Sequence, residues 1–268
     1  MRQSPNRKTI IAFIGVTLLL ASLALGFAKA RSVIGKRASA VDTRLKEMPP
    51  VILWAWERPT DLRFINPRDI GVAFLARTIR LRANEVTVRP RLQPLDLPEG
   101  VSVIAVARME SDVVNRPKLS DQQRDGLAVA IAEMAKLPHV SHIQIDFDAT
   151  SSEREFYRDV IVDVRRRLPE NVRLSITALA SWCTSDDWLS GLPIDEAVPM
   201  LFRMGVDDRQ IGNRLEAGED FNAQLCRLSY GVSTDEPRPY LSKARRLYVF
   251  NPDPWTEGSV RAILESRK

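Results

Sequence analysis

The sequence predicts an α/β protein, a lean (β/α)8 TIM barrel with a hairpin inserted after the second strand. Residues 50–268 alternate short apolar segments with amphipathic segments, which is the order of a parallel sheet covered by helices. Within residues 142–150, isoleucine and phenylalanine alternate with glutamine and aspartate, so this strand has an apolar and a polar face. The apolar face should lie under helices, which leaves Asp146 and Asp148 pointing into the barrel centre.

The first three strands are apolar segments with clear ends. Residues 51–58 stop at Pro59, and residues 71–76 form the second strand. After it, residues 78–89 alternate on both sides of a short turn, which indicates a hairpin where a regular barrel would have a helix. The third strand is predicted at 101–107. Ser120 then supplies a cap for a helix that runs to about residue 137.

The remaining elements continue the alternation of strand and helix. The fourth strand lies at 142–150 and precedes an amphipathic helix. Eight strands in about 220 residues are near the lower size limit of a (β/α)8 barrel, and a doubly wound open sheet with fewer strands is the alternative. No glycine-rich nucleotide-binding loop follows a strand, so we predict no cofactor. The later segments are a helix at 151–168, strands at 173–180, 196–202, 228–232 and 246–250, and a last helix from about Glu257.

The first 30 residues are predicted to be a signal peptide or signal anchor, residues 31–49 a linker, and residues 50–268 the barrel domain. A basic start precedes an apolar run at residues 10–28, followed by a small-x-small cleavage pattern. An uncleaved run would also span a bilayer, so we expect an exported, periplasmic protein, either free or anchored to the inner membrane. The formal net charge is +5, but the leader holds four basic and no acidic residues, which leaves +1 elsewhere and argues against a nucleic-acid partner.

The chain has two cysteines. Cys183 follows the end of the fifth predicted strand, whereas Cys226 precedes the start of the seventh. In an exported chain these residues could form a disulfide, but a barrel would hold them at opposite rims. We therefore expect the two cysteines to be unpaired.

Aromatic and polar residues collect where the predicted strands end, which is the rim that carries the active sites of such barrels. All five tryptophans lie in or just after strand ends, where a flat ring can stack on the apolar face of a sugar. Packing of single tryptophans between strand and helix is the alternative. The candidate substrate-binding residues are Trp54, Trp56, Glu57, Arg108, Trp182, Arg203, Tyr230 and Asn251.

Asp146 and Asp148 are the candidate catalytic residues. Two carboxylates in different environments can divide the work of glycoside hydrolysis, and Arg203 over the cleft would lower the pKa of one of them. A D-x-D pair can also hold a divalent cation or anchor a loop. The only histidines, His139 and His142, should lie at the opposite rim, so we predict no metal site and no histidine base for a nucleophile.

Several motifs between about residues 50 and 255 resemble the signature blocks of an exported bacterial family known as domain-of-unknown-function family 3142. They are I-L-W-A-W-E-R at 52–58, G-V-A-F-L-A at 71–76, R-P-R at 89–91, Q-I-D-F-D-A at 144–149, I-T-A-L-A-S-W-C at 176–183 and P-M-L-F-R-M-G at 199–205. The resemblance implies a glycoside-hydrolase-like TIM barrel without an established activity. The chain is also distantly similar to chitinase-type glycoside hydrolases, where Asp146 would match the last aspartate of D-G-x-D-x-D-x-E and Asp148 the catalytic glutamate.

These observations lead to two hypotheses. In the first, an exported barrel binds a glycan and hydrolyses it, with Asp148 as general acid and Asp146 orienting it or stabilising positive charge. Trp54, Trp56 and Trp182 would form the sugar platform. In the second, a catalytically inactive barrel binds envelope polysaccharide or a protein partner at the membrane. Aspartates held by arginine or backbone donors, with no room for a sugar beside Asp148, would favour the second.

Overall fold

A computed structural model describes residues 48–238 and 240–267 of the chain. The predicted leader at residues 1–30, with its apolar run at residues 10–28, lies outside the described residues, as does nearly all of the linker. Within the described ranges, no helix is both long and apolar enough to cross a membrane.

The described chain contains eleven strands and five α-helices. The strands are β1 (Val51–Ala55), β2 (Thr60–Asp61), β3 (Ile70–Arg82), β4 (Glu85–Pro90), β5 (Leu95–Asp96), β6 (Val103–Ser111), β7 (Val140–Asp146), β8 (Arg173–Leu179), β9 (Glu196–Met200), β10 (Ser229–Ser233) and β11 (Arg246–Phe250). The helices are α1 (Asp121–Ala132), α2 (Arg154–Arg167), α3 (Ala180–Thr184), α4 (Asp208–Glu216) and α5 (Glu257–Ser266).

Eight parallel strands close into a barrel. Strand β1 pairs with β3 on one side and with β11 on the other, and the order between them is β6, β7, β8, β9 and β10. Because the sheet has no open edge between these strands, the predicted (β/α)8 architecture is confirmed and the open-sheet alternative is wrong.

The predicted hairpin is also confirmed. Strand β4 runs antiparallel to the outer half of β3, with Arg82 opposite Glu85 across a two-residue turn. The turn is held from α1, where the buried Gln123 side chain donates hydrogen bonds to the carbonyl oxygens of Ala83 and Glu85, each at 3.1 Å. Ala83 has a φ of 46°, so these bonds hold a conformation that a non-glycine residue rarely adopts.

Strand β7 has the two faces that its alternation predicts. Ile143 and Ile145 are fully buried in the apolar core that includes Val160 and Ile161 of α2. Gln144 points the other way, and its Oε1 accepts a hydrogen bond of 2.9 Å from the indole Nε1 of Trp54 in β1. Strands β1 and β7 are separated by β3 and β6 in the ring, so this bond crosses the barrel interior and the polar face of β7 is inside.

Several connections between the barrel strands contain less α-helix than the sequence predicts. The helix predicted to reach residue 137 ends its α-helical part at Ala132 and continues as a 3-10 turn, Glu133–Lys136. Strands β1 and β9 are shorter than predicted, so Trp56 and Phe202 lie just beyond strand ends. Between β10 and β11, the described residues form turns and no helix. These short connections between strands account for the small size of the barrel.

Cys183 and Cys226 form a disulfide, so the expectation that they lie apart is wrong. Their Cα atoms are 5.9 Å apart. Cys183 belongs to α3, and the segment before β10 runs alongside it, with the backbone N–H groups of Asn222 and Ala223 donating to the Cys183 carbonyl. The prediction placed both cysteines by the strand ends alone, whereas the connecting segment brings Cys226 back to α3.

Candidate functional site

A cavity of about 460 Å³ opens at the carboxyl-terminal end of the barrel strands. Its volume falls in the range of small-molecule sites, about 300–1,000 Å³. We call it the barrel cavity. It is lined by Trp54, Trp56, Glu57, Leu75, Thr78, Arg89, Arg108, Glu110, Asp146, Asp148, Thr177, Leu179, Ala180, Ser181, Met200, Phe202, Arg203, Met204, Asp207, Ile211 and Phe250.

One wall of the barrel cavity is aromatic. The rings of Phe202 and Phe250 are stacked, with centroids 5.8 Å apart and an interplanar angle of 2°. Trp56 meets Phe250 edge-on at 6.3 Å, and Trp54 lies 6.3 Å from Phe202 in a tilted arrangement. The four rings come from the ends of β1, β9 and β11, and their contacts form one continuous apolar surface.

The opposite wall carries the two aspartates and one arginine. Arg108 of β6 donates from Nη1 to Asp146 Oδ2 at 2.8 Å and from Nη2 to Asp148 Oδ2 at 3.1 Å. Thr177 of β8 donates from its hydroxyl to the other oxygen of Asp146 at 2.7 Å. Arg108 pairs with Asp146 in the parallel register of β6 and β7, so adjacent strands position this cluster.

The two aspartates have different environments. Asp146 is 3% exposed, whereas the Asp148 side chain is 46% exposed because it lies two residues beyond the end of β7. Burial raises the pKa of Asp146 above its ordinary value, and the charge of Asp148 adds to this effect against the opposing charge of Arg108. The Arg108 guanidinium loses hydration through burial, but both carboxylates raise its pKa, so it stays a cation.

Arg203 borders the barrel cavity without contacting either aspartate through a hydrogen bond or ion pair. Its guanidinium carbon lies 5.4 Å from the centroid of the Phe250 ring, and its backbone N–H donates to the carboxylate of Glu236. Its φ of 53° is a strained conformation for a non-glycine residue. The arginine that pairs with the aspartates is therefore Arg108, and the role expected for Arg203 stays a prediction.

Most candidate residues meet in this cavity, namely Trp54, Trp56, Glu57, Arg108, Asp146, Asp148 and Arg203. Glu57 forms an ion pair of 2.7 Å with Arg89 of the hairpin. The inserted β4 therefore contributes to the cavity wall.

Three candidates do not line the cavity, and their placement there is wrong. Trp182 is 1% exposed and packs edge-on against Trp188. It therefore has the structural role that the sequence left open as the alternative to sugar binding. Tyr230 is buried beside Phe221 with Arg245 over its ring. The Asn251 side chain accepts from the Thr234 hydroxyl, so it holds a loop together.

Three important lining residues were not predicted. Phe202 and Phe250 complete the aromatic wall, and Thr177 holds Asp146. Phe250 lies two residues after Tyr248, which faces the interior, so alternation within β11 was a usable signal. Thr177 likewise follows Ser175, whose hydroxyl bonds to His142 inside the barrel.

The histidines lie away from the barrel cavity. His142 is buried near the amino-terminal ends of the strands, and its Nε2 lies 2.8 Å from the Ser175 hydroxyl. Residues 48–238 and 240–267 contain no group of three or more His, Cys, Asp or Glu side chains that could hold a metal ion.

Comparison with known proteins gives one match. Neither the curated proteins nor the solved structures include a significant match to this chain. The family model described as "Domain of unknown function (DUF3142)" matches residues 99–212, a segment that runs from just before β6 into α4 and contains Arg108, Asp146 and Asp148. Residues 99–212 of this parallel barrel are therefore similar to the DUF3142 domain.

Proposed function

We propose that this barrel binds a glycan in the barrel cavity and hydrolyses it with Asp148 and Asp146. The observation that carries the proposal is the pairing, within one cavity, of an aromatic wall with two carboxylates of unequal exposure. Sugars have apolar faces that stack on aromatic rings, and glycoside hydrolysis needs two carboxylic groups with different tasks.

The exposures of the two aspartates suggest how the tasks divide. Asp148 is half-exposed in the cavity, so it is the carboxyl group that can approach a glycosidic oxygen. Both oxygens of Asp146 accept hydrogen bonds, from Arg108 and Thr177, so this group is held as a fixed acceptor. These two contacts oppose the rise in its pKa that burial causes and favour its ionised form, whose task would be to stabilise the positive charge that develops on the sugar ring.

The proposed reaction is a simple hydrolysis. Asp148 donates its proton to the glycosidic oxygen as the bond from that oxygen to the anomeric carbon breaks. Water then adds its oxygen to the anomeric carbon and returns one proton to Asp148, which restores the acid.

A screen of the full-length chain against soluble polysaccharides tests this proposal. The panel would contain chitosan, carboxymethylcellulose, xylan, alginate and polygalacturonate, with binding and the release of reducing ends both measured. We expect Asp148→Asn to lower kcat/KM by roughly 10²–10⁴-fold, as loss of a general acid does. The control is Glu170→Gln, an exposed acid before β8 at the far end of the barrel. Turnover that is unaffected by Asp148→Asn would remove Asp148 from the mechanism.

A second function, glycan binding without hydrolysis, is favoured by one contact. Arg108 bonds to both aspartates at once, and a neighbouring guanidinium favours the ionised form of a carboxyl group, which only accepts hydrogen bonds. In that case the wild-type chain and Asp148→Asn should both retain polysaccharide and neither should release reducing ends. The same screen therefore separates the two functions.

We also propose that the protein is exported to the periplasm, where residues 10–28 would anchor it to the inner membrane if they are not cleaved. The disulfide between Cys183 and Cys226 supports export, because such bonds persist mainly in oxidising compartments. Fractionation of cells together with the intact mass of the purified chain tests both points. Reduced cysteines in a chain recovered from the cytoplasm would contradict the proposal.

A further inference from the structure

A second cavity of about 740 Å³ lies beside the barrel cavity. We call it the side groove. One side is formed by residues 112–119, the segment between β6 and α1, and the other by residues that follow β7, including Thr150 and Glu153. Three residues line both cavities: Arg108, Glu110 and Asp148. The two spaces therefore meet at the proposed proton donor.

The side groove has an apolar surface that packing does not explain. Val113 and Val114 are each 84% exposed, although neighbouring valines in β6 are buried. Both valines line the side groove, so their apolar side chains are available to a ligand that occupies it.

The segment that carries these valines has a defined shape. The Asp112 carboxylate accepts hydrogen bonds from the backbone N–H groups of Val114 and Asn115, at 3.0 and 2.7 Å. The Ala83 backbone of the hairpin turn then bonds to Asn115 and Lys118. These contacts fix the backbone that carries the valines, which lowers the cost of ordering this segment on binding.

We infer that the ligand is a polysaccharide chain that occupies the barrel cavity and the side groove together, with the junction at Asp148. Each cavity alone has the volume of a small-ligand site, so the two exceed the needs of a single sugar or disaccharide. Sugars on one side of the junction contact the aromatic wall, and those on the other side contact Val113 and Val114. This inference rests on the proposed function and adds the substrate class, a polymer.

Binding measured as a function of ligand length tests the inference. The probes are chito-, cello-, xylo- and galacturonate oligosaccharides, each with two and with six sugars, presented to the full-length chain. We use Asp148→Asn as well as wild type, so that cleavage does not shorten the ligands. For at least one sugar type, six units should bind at least tenfold more tightly than two.

The double variant Val113→Ser/Val114→Ser should weaken binding of the six-sugar ligand about tenfold and leave the two-sugar ligand unchanged. The matched control is Val206→Ser, which alters a valine that is 96% exposed and lines neither cavity. Equal affinity for both lengths, or equal losses at both lengths in the double variant, would overturn the inference while glycan binding stands. No binding by any probe would contradict the proposed function itself.

Discussion

Two polar clusters lie inside the same barrel, and they differ in access to solvent. The lower cluster, at the amino-terminal ends of the strands, contains Glu196, which is fully buried and accepts hydrogen bonds from Arg246 at 3.2 Å and Tyr248 at 2.9 Å. The upper cluster contains Arg108 with Asp146 and Asp148. Both clusters pair acids with an arginine, but only the upper one ends in a half-exposed carboxylate that faces a cavity.

A charge inside a barrel does not by itself identify a functional site. Both carboxylate oxygens of Glu196 in β9 accept hydrogen bonds from side chains of β11, so this acid stabilises the architecture. The upper pair shares one guanidinium and leaves Asp148 partly free to meet a ligand. A candidate site is therefore distinguished by a carboxylate that is exposed to a cavity and is only partly paired.

The largest expected effect is in the lower cluster. Glu196→Ala should reduce the free energy of unfolding by about 3–5 kcal/mol, because it removes one partner of a buried ion pair and leaves Arg246 and Tyr248 without that acceptor. Urea unfolding followed by tryptophan fluorescence measures the change. A loss below about 1 kcal/mol would mean that the lower cluster is not structural, and the contrast with the upper cluster would fail.

The next effect is a pH dependence that originates at His142. Burial, together with the charges of Arg173 and Arg246, lowers the pKa of His142 from 6.5 to about 3. Between these values the unfolded chain binds the proton and the folded chain does not, so stability falls as the pH falls from about 6.5 towards 3. At pH 4.5 the loss should be about 2–3 kcal/mol relative to pH 7. Urea unfolding at the two pH values measures it.

Two variants isolate this contribution from the other titrating groups. His142→Asn should lose less stability between pH 7 and pH 4.5 than the wild type does. Asp146→Asn should lose more stability between pH 7 and pH 4.5 than the wild type does. The raised pKa of Asp146 makes folding less favourable as the pH rises above 3.8, so in the wild type this group partly offsets the effect of His142. Parallel profiles for the wild type and His142→Asn would show that this histidine does not titrate as described.

The smallest expected effect on stability is in the upper cluster. Asp148→Asn should change the free energy of unfolding by less than about 1 kcal/mol, because the Asp148 side chain is 46% exposed and its ion pair with Arg108 is screened by solvent. The same urea experiment measures it. A loss of about 3 kcal/mol would place Asp148 among the structural charges and would remove the distinction between the clusters.

Much of the fold could be predicted from the sequence because its signals are local. Alternation within β7 assigned Ile143 and Ile145 to the outside and Asp146 to the inside, and the structure confirms both. The hairpin formed by β3 and β4 was predicted for the same reason, since a two-residue turn joins two alternating segments.

The site could be predicted only in part, because proximity across strands is not a local property. The aspartates and Trp54 were correctly placed at one end of the barrel, but Trp182 has the same position after a strand and is buried. The end of a strand shows only where the backbone leaves the barrel. Whether the next side chain enters the cavity or packs outward depends on how the following turn is directed.

Sequence patterns alone were enough to predict the eight barrel strands, the hairpin, the two faces of β7 and the end of the barrel at which Asp146 and Asp148 lie. Three features could be seen only in the folded chain: Arg108 pairs with both aspartates, Phe202 and Phe250 stack, and Cys183 bonds to Cys226. Periodicity reports on residues that are close in sequence, whereas these contacts depend on strand register and on the paths of the connecting segments.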